Sequence, residues 1–172
     1  MKRSLSLFWI LLMGLTMSMA GWSQTEKARL IVLADMGNEP DEMQQMMHLL
    51  MYSNEIDIEG LISVTGTHLK PSNEHPYRSV THPELFLKLI DGYEKVFYNL
   101  HRHAEGWMTP FDLRVLVSAG QPEYGMTGVG EGKSTEGSNW IIRQVTKDDP
   151  RPVYIVLNAG SNTLAQALFD YR

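Results

Sequence analysis

The chain has 172 residues, of which 43% are hydrophobic and 20% are charged, as expected for a globular protein of one domain or for part of a larger one. Its formal net charge of −5, without any basic stretch that also contains aromatic residues, argues against nucleic acid or an anionic membrane as the main partner. The absence of cysteine excludes disulfide bonds as a source of stability.

The first 20 residues have the pattern of a secretory signal peptide. Lys2 and Arg3 precede an apolar run over residues 5–16, and the small residues at 18–20 suit cleavage by a signal peptidase. The run is shorter than the roughly 20 residues that a membrane-spanning helix needs, which favours a signal over an uncleaved anchor. We therefore expect a secreted or periplasmic protein with no stable membrane span after cleavage of residues 1–20.

From residue 28 onward, short apolar runs alternate with segments that have helical spacing. Residues 30–34 form a continuous apolar run, which is typical of a parallel strand buried on both faces. Apolar residues then recur every three or four positions and predict a helix over residues 41–53, whose methionines face the core. Residues 58–64 predict the next strand and complete a strand–helix–strand unit.

The remainder of the chain continues this alternation. The predicted segments are a loop over 65–81, a helix over 82–100, a short apolar run over 114–118, a loop with six glycines over 120–137, a helix over 139–146, a strand over 152–157 and a helix over 163–171. This order predicts an α/β fold with a mostly parallel sheet and flanking helices.

Four acidic residues crowd the loop after the first predicted strand: Asp35, Glu39, Asp41 and Glu42. In an open parallel sheet, ligands bind beyond the carboxyl ends of the strands, where Asp35 is expected to lie. Helix formation alone explains part of the pattern, because Asp41 suits a helix N-cap and Glu42 suits a first turn. We interpret Glu39 as a solvated loop residue.

Asp35 is harder to explain by helix formation. A carboxylate at the end of a buried strand repels neighbouring carboxylates unless a cation lies between them. Carboxylate and carbonyl oxygens are the ligands of Ca²⁺ and Mg²⁺ rather than of Zn²⁺. Acid clusters after a first strand also occur in phosphotransfer receivers and in dehalogenase-like hydrolases. The latter usually have a second Asp where this chain has Gly37.

Other residues are candidates for contacts with a ligand. Glu136 lies in the glycine-rich loop, where it would line the same crevice or cap the helix that follows. His68 follows the second strand and is either a ligand contact or an ordinary loop residue. Tyr124, Trp107 and Trp140 are candidates for a surface on which a sugar stacks, although packing in the core is favoured for Trp140 because Ile141 and Ile142 adjoin it.

The stretch "LADMGNEPDE" resembles the Asp-rich motif of nucleoside hydrolases. The whole chain after the signal resembles, more closely, the nucleoside-hydrolase-like domain of secreted proteins described as cellulose-binding. The stretches that carry this resemblance, in the order of the family, are "YSNEIDIEGLISVTGTHL", "YEKVFYNLHRHAEGWMTPFDL", "YGMTGVGEGKSTEGSNWII" and "DDPRPVYIVLNAGSNTLAQAL".

The resemblance implies a chemistry for several positions. In nucleoside hydrolases the Asp-rich loop binds Ca²⁺, one acid acts as general base, and water breaks the C–N glycosidic bond with inversion. By motif, Asp35 and Glu42 would be metal ligands, Asp41 would be the catalytic base, and the backbone carbonyl of Asn162 would be a further ligand. The expected substrate contacts are Thr67, His68 and Glu136, and the expected partner is a sugar-containing small molecule or a polysaccharide.

The sequence also departs from the nucleoside hydrolase pattern. Glu39 and Pro40 are additional residues within the motif, Glu42 replaces an Asp, and Thr67 stands where an Asn is typical. A distal Asp that completes the metal site in this family has no counterpart, so residues 28–172 are interpreted as the N-terminal part of a truncated domain. Two functions remain open: a Ca²⁺-dependent hydrolase of glycosyl bonds, and a non-catalytic carbohydrate-binding domain that retains the fold.

Overall fold

The computed structural model describes residues 26–69 and 81–172 of the chain. Within these ranges, four strands form one parallel sheet in the order β3-β2-β1-β4. The strands are β1 (Ala28–Ala34), β2 (Ile56–Ser63), β3 (Val117–Ala119) and β4 (Val153–Leu157). The predicted α/β fold with a parallel sheet is confirmed. The predicted signal peptide and residues 70–80 of the predicted loop lie outside the described residues.

Five α-helices connect and flank these strands in the described part of the chain. They are α1 (Pro40–Leu50), α2 (Pro83–Leu100), α3 (Pro110–Val115), α4 (Glu136–Val145) and α5 (Ser161–Tyr171). Four of them were predicted, with ends that differ by up to three residues. Helix α3 was not predicted. Its start is nevertheless typical, because Thr109 precedes a proline and its hydroxyl accepts a hydrogen bond from the amide of Asp112.

The two faces of the sheet are covered by different helices. Val32 and Ala34 of β1 pack with α1, α2 and α3, whereas Ile31 and Leu33 pack on the opposite face with α4 and α5. The continuous apolar run of β1 therefore reflects burial on both faces, as predicted. Among the described residues, no helix combines the length and the apolar composition that crossing a membrane requires.

The prediction that the methionines of α1 face the core is wrong for two of them. Met46 is buried, but Met47 is 53% exposed, and Met51, just beyond the end of the helix, is 39% exposed. They border an apolar groove of about 600 Å³ between α1 and α2. The groove remains open partly because Gly92 of α2 has no side chain with which to cover it.

The strand order creates a switch point in the sheet. From β1 the chain moves outward to β2 and then β3, but β4 returns to the other side of β1. The loops after β1 and β4 therefore diverge, and a crevice forms at the carboxyl ends of these strands, where open α/β sheets bind ligands.

The opposite end of the sheet is held by a buried ion pair. Arg29 of β1 is 1% exposed, and its guanidinium contacts both carboxylate oxygens of Glu59 at 2.9 Å. The pairing of β1 with β2 skips Glu59, since Leu30 is opposite Ile58 and Ile31 is opposite Gly60. This bulge gives Glu59 an irregular position in the strand, at the point where its side chain meets Arg29.

Candidate functional site

A crevice of about 440 Å³ lies at the carboxyl end of the sheet. The segments that follow all four strands contribute to its wall. The lining residues include Asp35 after β1, Thr67 and His68 after β2, Tyr124 after β3, and Leu157 at the end of β4 with residues 158–162 after it. The structure thus brings Asp35, Thr67, His68 and Asn162 together, as the sequence analysis expected of residues at strand ends.

Asp35 is the acidic residue that borders this crevice directly. It is only 5% exposed, and one of its carboxylate oxygens, Oδ2, accepts a hydrogen bond from the side chain of Asn38 at 3.1 Å. The backbone of Gly66 lies against the same oxygen, since a Cβ atom placed on Gly66 would be 2.3 Å from it. The glycine therefore makes room for the carboxylate at the bottom of the crevice.

Glu42 lies in the first turn of α1, close to Asp35. It is 8% exposed, and its Oε2 atom is buried without a hydrogen-bond partner in the described structure. Burial raises the pKa of Glu42 to about 7, and the negative charges of Asp35 and Asp41 raise it further than burial alone would. Two adjacent buried carboxylates need either a shared proton or a cation to be stable.

Two exposed acids extend this pair toward solvent. Carboxylate oxygens of Glu39, Asp41 and Glu42 lie within 4.8 Å of one another. Glu39, interpreted above as a separate loop residue, is exposed but belongs to this group. Asp41 is not the helix N-cap, because Glu39 occupies the N-cap position and Pro40 begins α1.

The donor set fits a hard divalent cation. None of the ion pairs in the described ranges involves Asp35, Asp41 or Glu42, so no basic side chain balances their charge. The unpartnered Oε2 of Glu42 and the carboxylate of Asp35 are oxygen donors of the kind that Ca²⁺ and Mg²⁺ bind. These two residues are the ones that would hold such an ion.

Asp41 faces an adjoining cavity rather than the crevice itself. This cavity, of about 370 Å³, is bordered by Asp41, Glu42, Gln45 and Asn158. Asn158 also lines the main crevice, so the two spaces meet at its side chain. Asp41 is exposed and therefore accessible to water at the edge of the site.

Asn162 lines the crevice at the start of α5, of which it is the second residue. The role of its backbone carbonyl as a metal ligand stays a prediction. Its side-chain amide donates to the carbonyls of Glu123 and Gly125, at 2.6 and 3.2 Å.

Several predicted candidates lie elsewhere. Glu136 is the exposed first residue of α4 and is not among the residues that line the crevice; the helix is capped by Thr135, whose hydroxyl accepts the amide of Ser138. The indole of Trp140 donates to the carbonyl of Glu59 at 2.6 Å, and that of Trp107 donates to backbone carbonyls at the end of α2. Both tryptophans therefore pack within the fold.

Sequence reasoning did not single out Asn158 or Gly160. Gly160 has a positive φ of 57°, and a Cβ atom there would lie 2.3 Å from Val64, so the turn into α5 requires glycine. A sequence signal for these two crevice residues exists, because polar residues and glycine follow β4 directly, as they follow β1.

Comparison with known proteins agrees with this geometry. A family model described as "Cellulose-binding Sde182, nucleoside hydrolase-like domain" matches residues 29–172. The chain belongs to this family. The resemblance inferred from the sequence is confirmed, and the Sde182 nucleoside hydrolase-like domain accounts for nearly all of the described residues.

A solved structure extends this assignment. The Sde182-like chain is 39% identical to a nucleoside hydrolase-related hypothetical protein from Saccharophagus degradans that is associated with carbohydrate metabolism, with a TM-score of 0.74. The match covers 84% of this chain and 33% of that protein, so the chain spans about a third of its structural relative. A search of curated proteins found no match.

Proposed function

We propose that this chain provides the cation-binding part of a sugar site and that the site hydrolyses a glycosyl bond. The observation that carries the proposal is the buried pair of Asp35 and Glu42, which lies at the switch-point crevice and has no basic partner among the described residues. Membership of a nucleoside hydrolase-like family supports an N-glycosidic or related sugar substrate.

Each residue has a defined part in this proposal. Asp35 and Glu42 would hold Ca²⁺, which would supply positive charge for binding sugar hydroxyl groups and for lowering the pKa of water. Asp41, exposed beside this pair, accepts the proton of the attacking water. Thr67 and His68, which also line the crevice, contact the sugar.

The roles proposed for Asp35 as a metal ligand and for Asp41 as the general base predict different effects when each residue is replaced. Asp35→Asn is expected to abolish the heat of Ca²⁺ binding in isothermal titration calorimetry. Asp41→Asn is expected to keep Ca²⁺ affinity within about threefold but to lower hydrolysis of p-nitrophenyl glycosides by about 10²–10⁴-fold, the range for loss of a general base. Glu39→Gln is the matched control from the same acidic group. A folded wild-type protein that gives no Ca²⁺ signal at neutral pH would eliminate the metal site.

The contact between Gly66 and Asp35 gives an independent test of the site. Gly66→Ala is expected to displace the Asp35 carboxylate, because the new Cβ atom would lie 2.3 Å from Oδ2, and to weaken Ca²⁺ binding by about tenfold or more. Gly92→Ala is the control, since a Cβ atom there meets nothing within 4 Å and alanine favours a helix. Equal Ca²⁺ affinities for both variants would contradict the placement of the ligand at Asp35.

A second candidate function is a non-catalytic carbohydrate-binding domain. Asp35 is the only carboxylate among the described residues that line the crevice, and Asp41 faces the adjoining cavity instead. The description of the family as cellulose-binding favours the same alternative and is compatible with a secreted or periplasmic location.

Binding to insoluble cellulose separates the two functions. A non-catalytic domain is expected to sediment with cellulose and to be released by soluble oligosaccharide, without releasing product from any p-nitrophenyl glycoside. Hydrolysis that requires Asp41 would reject this alternative, and failure to bind cellulose at every Ca²⁺ concentration would also count against it.

A further inference from the structure

Tyr124 is held at the rim of the crevice by contacts from the loop after β2 and from the start of α5. Its side chain is 44% exposed and lines the crevice. Its hydroxyl lies 2.7 Å from the hydroxyl of Thr67, which connects the segment after β3 to the segment after β2. The aromatic ring is thus fixed at its outer end rather than free to rotate in solvent.

The backbone around Tyr124 is fixed as well. The buried side chain of Asn162 donates hydrogen bonds to the carbonyls of Glu123 and Gly125, the residues on either side of Tyr124. One amide group therefore clamps the loop at both flanks of the aromatic residue. An aromatic surface whose loop and hydroxyl are ordered before a ligand arrives avoids part of the entropic cost of binding.

We propose that Tyr124 is the residue on which a pyranose ring stacks in this crevice, with Thr67 and Asn162 as its positioning residues. The inference rests on the proposed sugar site and names the ligand as a β-linked glucose oligosaccharide. Such a sugar has apolar C–H faces that match an aromatic ring and a rim of hydroxyl groups. The hydroxyl and amide side chains of Thr67, Asn158 and Ser161 line the same space and match that rim.

A sugar explains the lining better than a nucleobase does. Tyr124 and the imidazole of His68 are the aromatic side chains among the described residues of the crevice wall, and Tyr124 offers the larger apolar face. The other lining side chains are mainly short and polar, as suits a ligand rich in hydroxyl groups. The cellulose-binding description of the family supports the same class of ligand.

The test is titration of the protein with cellotetraose, in the presence of Ca²⁺, for a series of variants. Tyr124→Ala is expected to lower affinity by about tenfold, whereas Tyr124→Trp keeps an aromatic face and stays within about threefold of wild type. Tyr124→Phe keeps the ring but removes the contact between the hydroxyls, so it is expected to show an intermediate loss. Thr67→Val removes the same contact and also a hydroxyl that faces the sugar, so its loss should be at least as large as that of Tyr124→Phe. Tyr98→Ala is the control, because Tyr98 is 83% exposed on α2 and does not line the crevice.

Several outcomes would overturn the inference. These are wild-type affinity in Tyr124→Ala, equal losses in Tyr124→Ala and Tyr124→Phe, an equal loss in Tyr98→Ala, and stronger binding of inosine than of cellotetraose. Ca²⁺ binding without any oligosaccharide binding would also reject it while leaving the metal site intact. Oligosaccharide binding that depends on Tyr124 but not on Ca²⁺ would support it while the proposed cation site fails.

Discussion

Replacement of Glu42 by glutamine is expected to stabilise the metal-free protein at pH 8 by about 1–3 kcal/mol. The pKa of Glu42 is raised from 4.5 to about 7, chiefly by burial. Protonated Glu42 therefore contributes stability that is fully present below about pH 4.5 and is lost as the pH rises through about 7. Glutamine cannot ionise, so the variant should not lose stability over this pH range.

Urea unfolding with a chelator at pH 5 and pH 8 measures the effect. The wild-type protein should be less stable at pH 8 by the stated amount, and Glu42→Gln should differ little between the two pH values. Added Ca²⁺ should stabilise the wild-type protein at pH 8, because it binds the ionised carboxylates, but should not stabilise the variant. Glu105→Gln, at an exposed position, is the control. If Glu42→Gln were less stable than the wild-type protein at pH 8 without metal, the ionised carboxylate of Glu42 would have a stabilising partner in the folded protein.

The position of the site was predictable because strand ends in a parallel sheet converge. An apolar run followed at once by Asp35, and another followed by Thr67 and His68, was enough to place these residues in one crevice. The pairing of Asp35 with Glu42 in the interior was less predictable. The burial of Glu42 depends on the direction in which α1 leaves the loop, which no local pattern encodes.

The errors of prediction have a common physical origin in tertiary packing. The spacing of the methionines is that of a helix face, but Met47 and Met51 are exposed because the neighbouring helix presents a glycine to them. The hydrogen bond from the side-chain amide of Asn162 to the carbonyl of Glu123 was not predicted either, because it joins residues that lie 39 positions apart. The bulge at Glu59 follows from a pairing across 30 residues and leaves no local signal.

Buried charged residues are arranged differently at the two ends of the sheet. At the carboxyl end, no ion pair between described residues involves Asp35 or Glu42, and Oε2 of Glu42 is buried without a hydrogen-bond partner in the described part of the chain. At the amino end, Arg29 and Glu59 neutralise each other. A buried carboxylate is tolerated at either end, but only the first arrangement matches the cation site that we propose.

Removal of Arg29 is therefore expected to have the largest effect on stability. Arg29→Met should lower the free energy of unfolding by about 3–5 kcal/mol, because it leaves Glu59 buried without its principal partner. The guanidinium also donates to the carbonyls of Gln144 and Arg151, at 2.8 and 3.0 Å, and so holds the turn that leads into β4. The double substitution Arg29→Met with Glu59→Leu should recover most of the loss, since no uncompensated charge then remains.

Thermal and urea unfolding of the two variants, beside Arg102→Met at an exposed position, test this expectation. Ca²⁺ affinity measured well below the midpoint of unfolding should remain within about threefold of wild type, because the pair lies at the opposite end of β1 from Asp35. A change of less than about 1 kcal/mol in Arg29→Met would mean that water or Lys147, whose Nζ lies 3.3 Å from Glu59, compensates the carboxylate. A large loss of Ca²⁺ affinity in a folded variant would instead show that the contacts of Arg29 influence the position of Asp35 at the other end of β1.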